Sequence, residues 1–196
     1  DNQEITAGSL PDNSLNTPEG LVYRGLRFDG SADTFVEMDA RGPFASPGFQ
    51  LSAWVRPAAD AAPNDGNEAT IVARQVADGQ VNYRLFLVND GGQLRAGVEF
   101  DDEDGQRVRL VSDGSNGPVS AITLAREQWS QLIAWFDAGA GALELTVQPE
   151  TDLAAAHAGR LDTTTRLAAT GSGTFSVSGI SGLAGHIPWL TSPGAQ

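Results

Sequence analysis

The chain has 196 residues, a formal net charge of −13 and no cysteine, and all 12 of its basic residues are arginine. One domain with a sizeable core suits this length and a hydrophobic content of 40%, while disulfides and thiolate metal sites are excluded. So acidic a surface disfavours nucleic acid and anionic lipid, and no apolar run approaches the ~20 residues of a membrane-spanning helix; neither a nucleic-acid partner nor membrane insertion is expected. Residues 1–20 carry Pro11, Asn13, Asn16, Pro18 and Gly20 and read as an extended N-terminal segment.

Strand signals begin at Leu21. Leu26 and Phe28 alternate with Arg27 and Asp29, the period of two that sends one set inward. Asp29-Gly30 marks a turn, and Thr34 to Met38 forms the returning strand. Phe49, Leu51, Ala53 and Val55 alternate with Gln50, Ser52, Trp54 and Arg56 until Pro57 stops the strand. Residues 57–68 form a loop, and Thr70 to Val76 the next strand. Val81 to Val88 is apolar on both faces, which predicts a central strand. Asn89-Asp90-Gly91-Gly92 and Asp104-Gly105 are hairpin signals bounding Gln93 to Phe100 and Arg107 to Val111. Ile122 to Leu124 is short. Ser130 to Asp137 and the alternating Leu143, Leu145, Val147 flank an Ala138 to Gly141 turn. Thr151 to Arg160 is the one helix-friendly stretch, too short for an independent helix, and reads as a turn on a loop. Phe175 and Val177, then Leu183, Ile187 and Leu190, predict two closing strands, and residues 191–196 a tail.

The sum is an all-β chain of roughly twelve short strands, an antiparallel two-sheet sandwich. Three phrases carry a family resemblance: Leu26-Arg27-Phe28-Asp29-Gly30-Ser31 with Phe35-Val36-Glu37-Met38, then Phe49 to Pro57, then Trp129 to Asp137. Together with Leu183-Ala184-Gly185-His186-Ile187, their order resembles the laminin G-like domain, a concanavalin A-like jelly roll of the lectin and glucanase superfamily, over residues 21–190. The resemblance implies a non-catalytic, extracellular or cell-surface recognition module. Its partner would be a glycan or an extracellular protein, met through rim loops at 57–68, 101–105 and 112–118. The alternative is a structural or decoration subunit on a virion or filament surface, binding copies of itself through edge strands. The chain departs from the family at Pro188-Trp189, where an acidic pair is usual, so a cation ligand from that pair is absent.

Glu99, Asp101 and Glu103 have the E-x-D-x-E spacing of lichenase-type glucan hydrolases. On one strand face, two of them would act as nucleophile and acid/base, ~5 Å apart in a retaining enzyme. The Asp104-Gly105 turn and the lack of tryptophan in residues 91–98 argue for the bland alternative, a solvated acidic hairpin. The laminin G-like resemblance implies calcium at a loop rim, for which Asp29, Asp33, Asp101 and Asp104 are the ligand candidates, with Asp60, Asp65 and Glu68 a further acidic group. Trp54, Asp101, Asp102 and Glu103 are the candidates for ligand contact. Trp54 has polar neighbours on its strand face and would serve as a sugar platform; its competing placement, in a second core layer, is where large aromatic residues more often go. Trp129 and Trp135 are expected in the core. His157 and His186 lack the partners that a zinc or catalytic site needs.

Overall fold

The computed structural model describes residues 35–40, 48–59, 68–76, 80–115, 121–151, 157–163 and 173–178. Ten strands are formed among them: β1 (Phe35–Ala40), β2 (Phe49–Val55), β3 (Glu68–Val76), β4 (Val81–Asp90), β5 (Gln93–Asp101), β6 (Arg107–Val111), β7 (Ser130–Asp137), β8 (Ala142–Pro149), β9 (His157–Asp162) and β10 (Gly173–Ser178). They make two antiparallel sheets packed face to face, one in the order β1-β10-β3-β4-β5-β6 and the other β2-β7-β8-β9. The protein is an all-β two-sheet sandwich, as its alternating pattern predicts. The first predicted hairpin strand, the closing segment around Leu183 to Leu190 and the segments 1–20 and 191–196 lie outside the described residues.

Period-two patterning builds the core. From β2 come Phe49, Leu51 and Val55, from β7 Leu132, Ala134 and Phe136, and from β8 Leu143, Leu145 and Val147. They meet Tyr83, Leu85 and Leu87 of β4, Val98 and Phe100 of β5, and Leu110 of β6. An aromatic cluster locks the middle, with Phe100 and Phe136 ring centroids 4.5 Å apart and Phe49 and Tyr83 5.3 Å apart, within the range where tilted rings attract. Val81 to Asn89 are all buried, so β4 is the central strand that its two apolar faces predict.

Turn chemistry sets the register. Gly91 and Gly92 have φ of +56° and +85° and join β4 to β5 with Asp90 opposite Gln93. Two consecutive positive φ values are those of a type I′ turn, whose twist matches the strands it joins. Between β5 and β6, the Asp102 Oδ1 accepts N–H bonds from Asp104 (3.0 Å) and Gln106 (2.7 Å), closing the hairpin that Asp104-Gly105 predicts.

Two expectations are corrected. His157 to Arg160 belong to β9, paired with β8, because the ladder Val147↔His157 to Ala142↔Asp162 supplies the backbone hydrogen bonds that local helix propensity would otherwise have to supply. Trp135 is not a core residue. Leu132, Ala134 and Phe136 point inward, so the strict alternation of β7 puts Trp135 on the outer face, where it is half-buried. Trp129, just before β7, is likewise half-buried.

Candidate functional site

The outer face of the four-stranded sheet begins with β2. Gln50, Ser52 and Trp54 alternate outward while Phe49, Leu51 and Val55 go in. Trp54 is 50% exposed, the one exposed large hydrophobic side chain among the described residues, so it does not occupy a second core layer. Pairing with β7 sets Trp54 opposite Gln131, Ser52 opposite Ile133, and Gln50 opposite Trp135. Gln131 donates from its Nε2 to the Ser52 Oγ at 3.3 Å. On β8 the same face continues through Glu144, Thr146 and Gln148, with Glu144 opposite Trp135. The result is an indole on an open surface, surrounded by amides and hydroxyls. Sequence patterning singled out Trp54 and missed its companions Ile133 and Trp135; the inward Leu132, Ala134 and Phe136 were the signal that would have found them.

The acidic candidates lie on the other sheet, and they have protein partners. Arg84, Glu99 and Arg109 are directly opposite one another across β4, β5 and β6, and Asp101 is opposite Arg107. Both Glu99 oxygens are engaged: Oε1 accepts from Arg84 Nη1 at 2.9 Å and Arg107 Nη1 at 2.8 Å, and Oε2 from Arg109 Nη1 at 3.0 Å. Glu99 is 1% exposed. Asp101 Oδ1 pairs with Arg107 Nε, and its Oδ2 accepts the Val81 N–H at 2.7 Å. Strand β5 ends at Asp101, and Glu103 lies beyond it, exposed in the turn. The three acids of the E-x-D-x-E spacing are therefore not presented together on one strand face.

Asp101 and Asp102 are buried and engaged, which leaves Glu103 and Asp104 as the exposed acids of that hairpin. Two carboxylates fall well short of the roughly six to eight oxygens that calcium takes. Among the described residues no three His, Asp or Glu side chains are gathered to hold a metal ion. Asp29 and Asp33, with Asp60, Asp65, His186 and Trp189, lie outside the described residues.

Next to the ionic rows, Phe86 is fully buried although it points away from the core. The Arg109 guanidinium carbon lies 4.4 Å from its ring centroid and that of Arg84 4.7 Å, cation–π distances. The ring lies over Gly97, where a Cβ would come within 2.2 Å of Phe86 Cζ. Glu68 completes the network, with Oε2 2.6 Å from Arg84 Nη1 and Oε1 2.5 Å from Arg109 Nη2. Burial alone raises the Glu68 pKa, but hydrogen bonds and charge from Arg109 and Arg84 outweigh it and hold the carboxyl below its ordinary 4.5. The depressed value means that Glu68 contributes stability fully above pH 4.5, and that this is lost as pH falls through the lower folded value. Glu68→Gln is thus expected to flatten the acid limb of the stability curve, read as urea midpoints above and below pH 4.5.

A shallow, open depression of about 480 Å³ adjoins this network between Arg95, Arg109, Asp90 and Asp113. Both of its cations carry carboxylates: Arg95 Nε is 2.6 Å from Asp90 Oδ2, and Arg109 pairs with Glu68 and Glu99. Its charges are matched internally, whereas the face around Trp54 presents an apolar surface to solvent.

No protein-family description matches the chain, and no curated protein matches it. Among solved structures it is similar to the receptor-binding domain of botulinum neurotoxin D, with 13% identity and a TM-score of 0.52 over 90% of this chain and 40% of that one. It is also similar to the enzymatically active domain of tailspike protein 2 of bacteriophage CBA120, with 13% identity and a TM-score of 0.50 over 81% of this chain and 24% of that one. The chain spans less than half the length of either, and at this identity the likeness is one of fold: the β-sandwich seen here is shared with both.

Proposed function

We propose that this sandwich is a non-catalytic, laminin G-like recognition module that works outside the cell and binds glycan on the outer face of β2 and β7. The observation that carries the reading is the half-exposed Trp54 indole, set among Gln50, Ser52 and Gln131. An indole is a flat apolar platform for the C–H face of a sugar ring, and the flanking amides and hydroxyl can both donate to and accept from sugar hydroxyls. The fold likeness supports the reading, since one of the similar structures is a receptor-binding domain. A non-catalytic role is supported by the placement of Glu99, whose two oxygens are bound by three guanidinium groups.

The test is a glycan array probed with the wild-type chain and with Trp54→Ala. Truncating a central aromatic anchor costs about 2 kcal/mol, roughly thirtyfold in affinity. The array signal of Trp54→Ala is expected to fall to background with an unchanged melting temperature. An identical glycan profile in the variant would sink the reading. Binding that resists EDTA is also expected, because among the described residues no three acidic or histidine side chains are gathered on this face.

A further inference from the structure

We infer that the ligand of this face is a neutral, extended oligosaccharide running from Trp54 to Trp135; the inference rests on the glycan reading above and narrows it. Register sets the length. Trp54 is opposite Gln131 and Trp135 is opposite Gln50, so the two indoles are one strand and four residues apart. Strand geometry then separates their Cα atoms by on the order of 14 Å, wider than a single sugar ring. Ile133 shares the face between them, opposite Ser52. Together the three side chains make an apolar diagonal, on which separate residues of one chain can stack at each end.

Charge sets the class. The two described arginines that strand alternation puts on this face, Arg56 and Arg160, are already matched. The Arg56 Nε donates to the Glu127 carbonyl at 2.9 Å, with the Glu127 carboxylate 4.0 Å from its Nη2. Arg160 donates from Nε to Asp162 Oδ1 at 2.8 Å and from Nη1 to Glu144 Oε1 at 2.5 Å. The groups paired with the diagonal are Gln50, Ser52, Gln131 and Thr146, all uncharged, and Glu144, an acid opposite Trp135 whose Oε1 accepts from Arg160. A uronate, sulfated or sialylated sugar would bring its charge to a chain of net charge −13 without meeting an uncompensated cation among the described residues of the face. A neutral ring loses nothing there. Pyranoses with equatorial hydroxyls, which have the flattest C–H faces, suit stacking on indole best.

The experiment is calorimetric titration of wild type, Trp54→Ala and Trp135→Ala with neutral gluco-, xylo- and manno-oligosaccharides, from disaccharide to hexasaccharide, and with oligouronates of matched length. Melting temperatures of both variants confirm that they are folded, and Trp135→Phe stands in if the alanine variant is not. For wild type, affinity for a neutral series is expected to rise about tenfold from disaccharide to tetrasaccharide and to be insensitive to salt. Trp135→Ala should remove that gain while keeping disaccharide affinity, and Trp54→Ala should weaken binding at every length by roughly thirtyfold. Tighter, salt-sensitive and Trp54-dependent binding of oligouronates would overturn the neutral class and leave the glycan face standing. A length-independent affinity would overturn the two-platform register. Absence of Trp54-dependent binding to every sugar tested would overturn the underlying reading, and this inference with it.

Discussion

Glu99→Ala is expected to destabilise the protein by about 3–5 kcal/mol, the usual cost of removing one partner from a buried ion pair. Glu99 is the shared acceptor for Arg84, Arg107 and Arg109, and Arg84 is itself only 3% exposed. Without the carboxylate, Arg84 keeps its bonds to Glu68 and Thr70 but loses its most buried counter-charge. For a domain of this size, such a loss lowers the melting temperature by roughly 10 °C. Glu99→Gln should be nearly as costly, because its NH₂ group would face a guanidinium. Replacing the two most buried members together, as in Glu99→Leu with Arg84→Met, is expected to cost less than Glu99→Ala alone, since Arg107 keeps Asp101 and Arg109 keeps Glu68. Differential scanning calorimetry of the three variants checks this. A catalytic Glu99 would give the opposite pattern: a glutamine variant of full stability that has lost turnover on β-glucans. That result would restore the hydrolase alternative.

The second large effect is expected at Gly97. A Cβ there would lie 2.2 Å from Cζ and 2.5 Å from Cε2 of Phe86. An aromatic ring can usually swing away, but this one has guanidinium groups of Arg84 and Arg109 against it and is fully buried. Gly97→Val is therefore expected to cost about 3 kcal/mol, at the upper end of the usual range for overpacking. Phe86→Ala alone should cost a comparable amount through lost burial. The two substitutions touch one another, so their effects should not add: Gly97→Val with Phe86→Ala should be clearly more stable than the sum of the single losses predicts. Urea unfolding of the four proteins of this cycle measures it, and strict additivity would show that Phe86 does not bear on Gly97.

The strands and the inter-sheet core were legible because they follow from local alternation. Phe49, Leu51 and Val55 name the inner face of β2 wherever the rest of the chain goes, and the two apolar faces of residues 81–88 name the central strand. What was not legible depends on pairing between distant segments. Nothing near Gly97 says that its partner across the ladder is Phe86. Nothing near Glu99 says that Arg84 and Arg109 flank it, although Arg107 and Arg109 recur at the same two-residue spacing as Glu99 and Asp101. The E-x-D-x-E spacing therefore resembled a catalytic signature when its first two acids are neutralised from neighbouring strands. Trp54 was legible as a candidate, because its strand neighbours are polar. Trp135 was not, because its parity depends on where β7 starts: counted from Ser130 it faces outward, but its apolar neighbours Ile133 and Phe136 conceal the alternation. His157 to Arg160 misled for a related reason, since alanine-rich composition favours helix locally and only the β8 ladder makes a strand of it.

Strand β10 lies between β1 and β3 in the larger sheet, paired with both. In chain order the β3–β6 meander can assemble from neighbouring hairpins, and it then has an unpaired β3 edge until β10 is synthesised. The last described strand must slot into a gap and not merely add to a margin. Contacts of this sequence separation close slowly, and an open apolar edge invites pairing with another chain. The consequence is kinetic: a nascent or truncated chain ending before Gly173 offers a template for intermolecular strand exchange, and concentration-dependent refolding would be its signature.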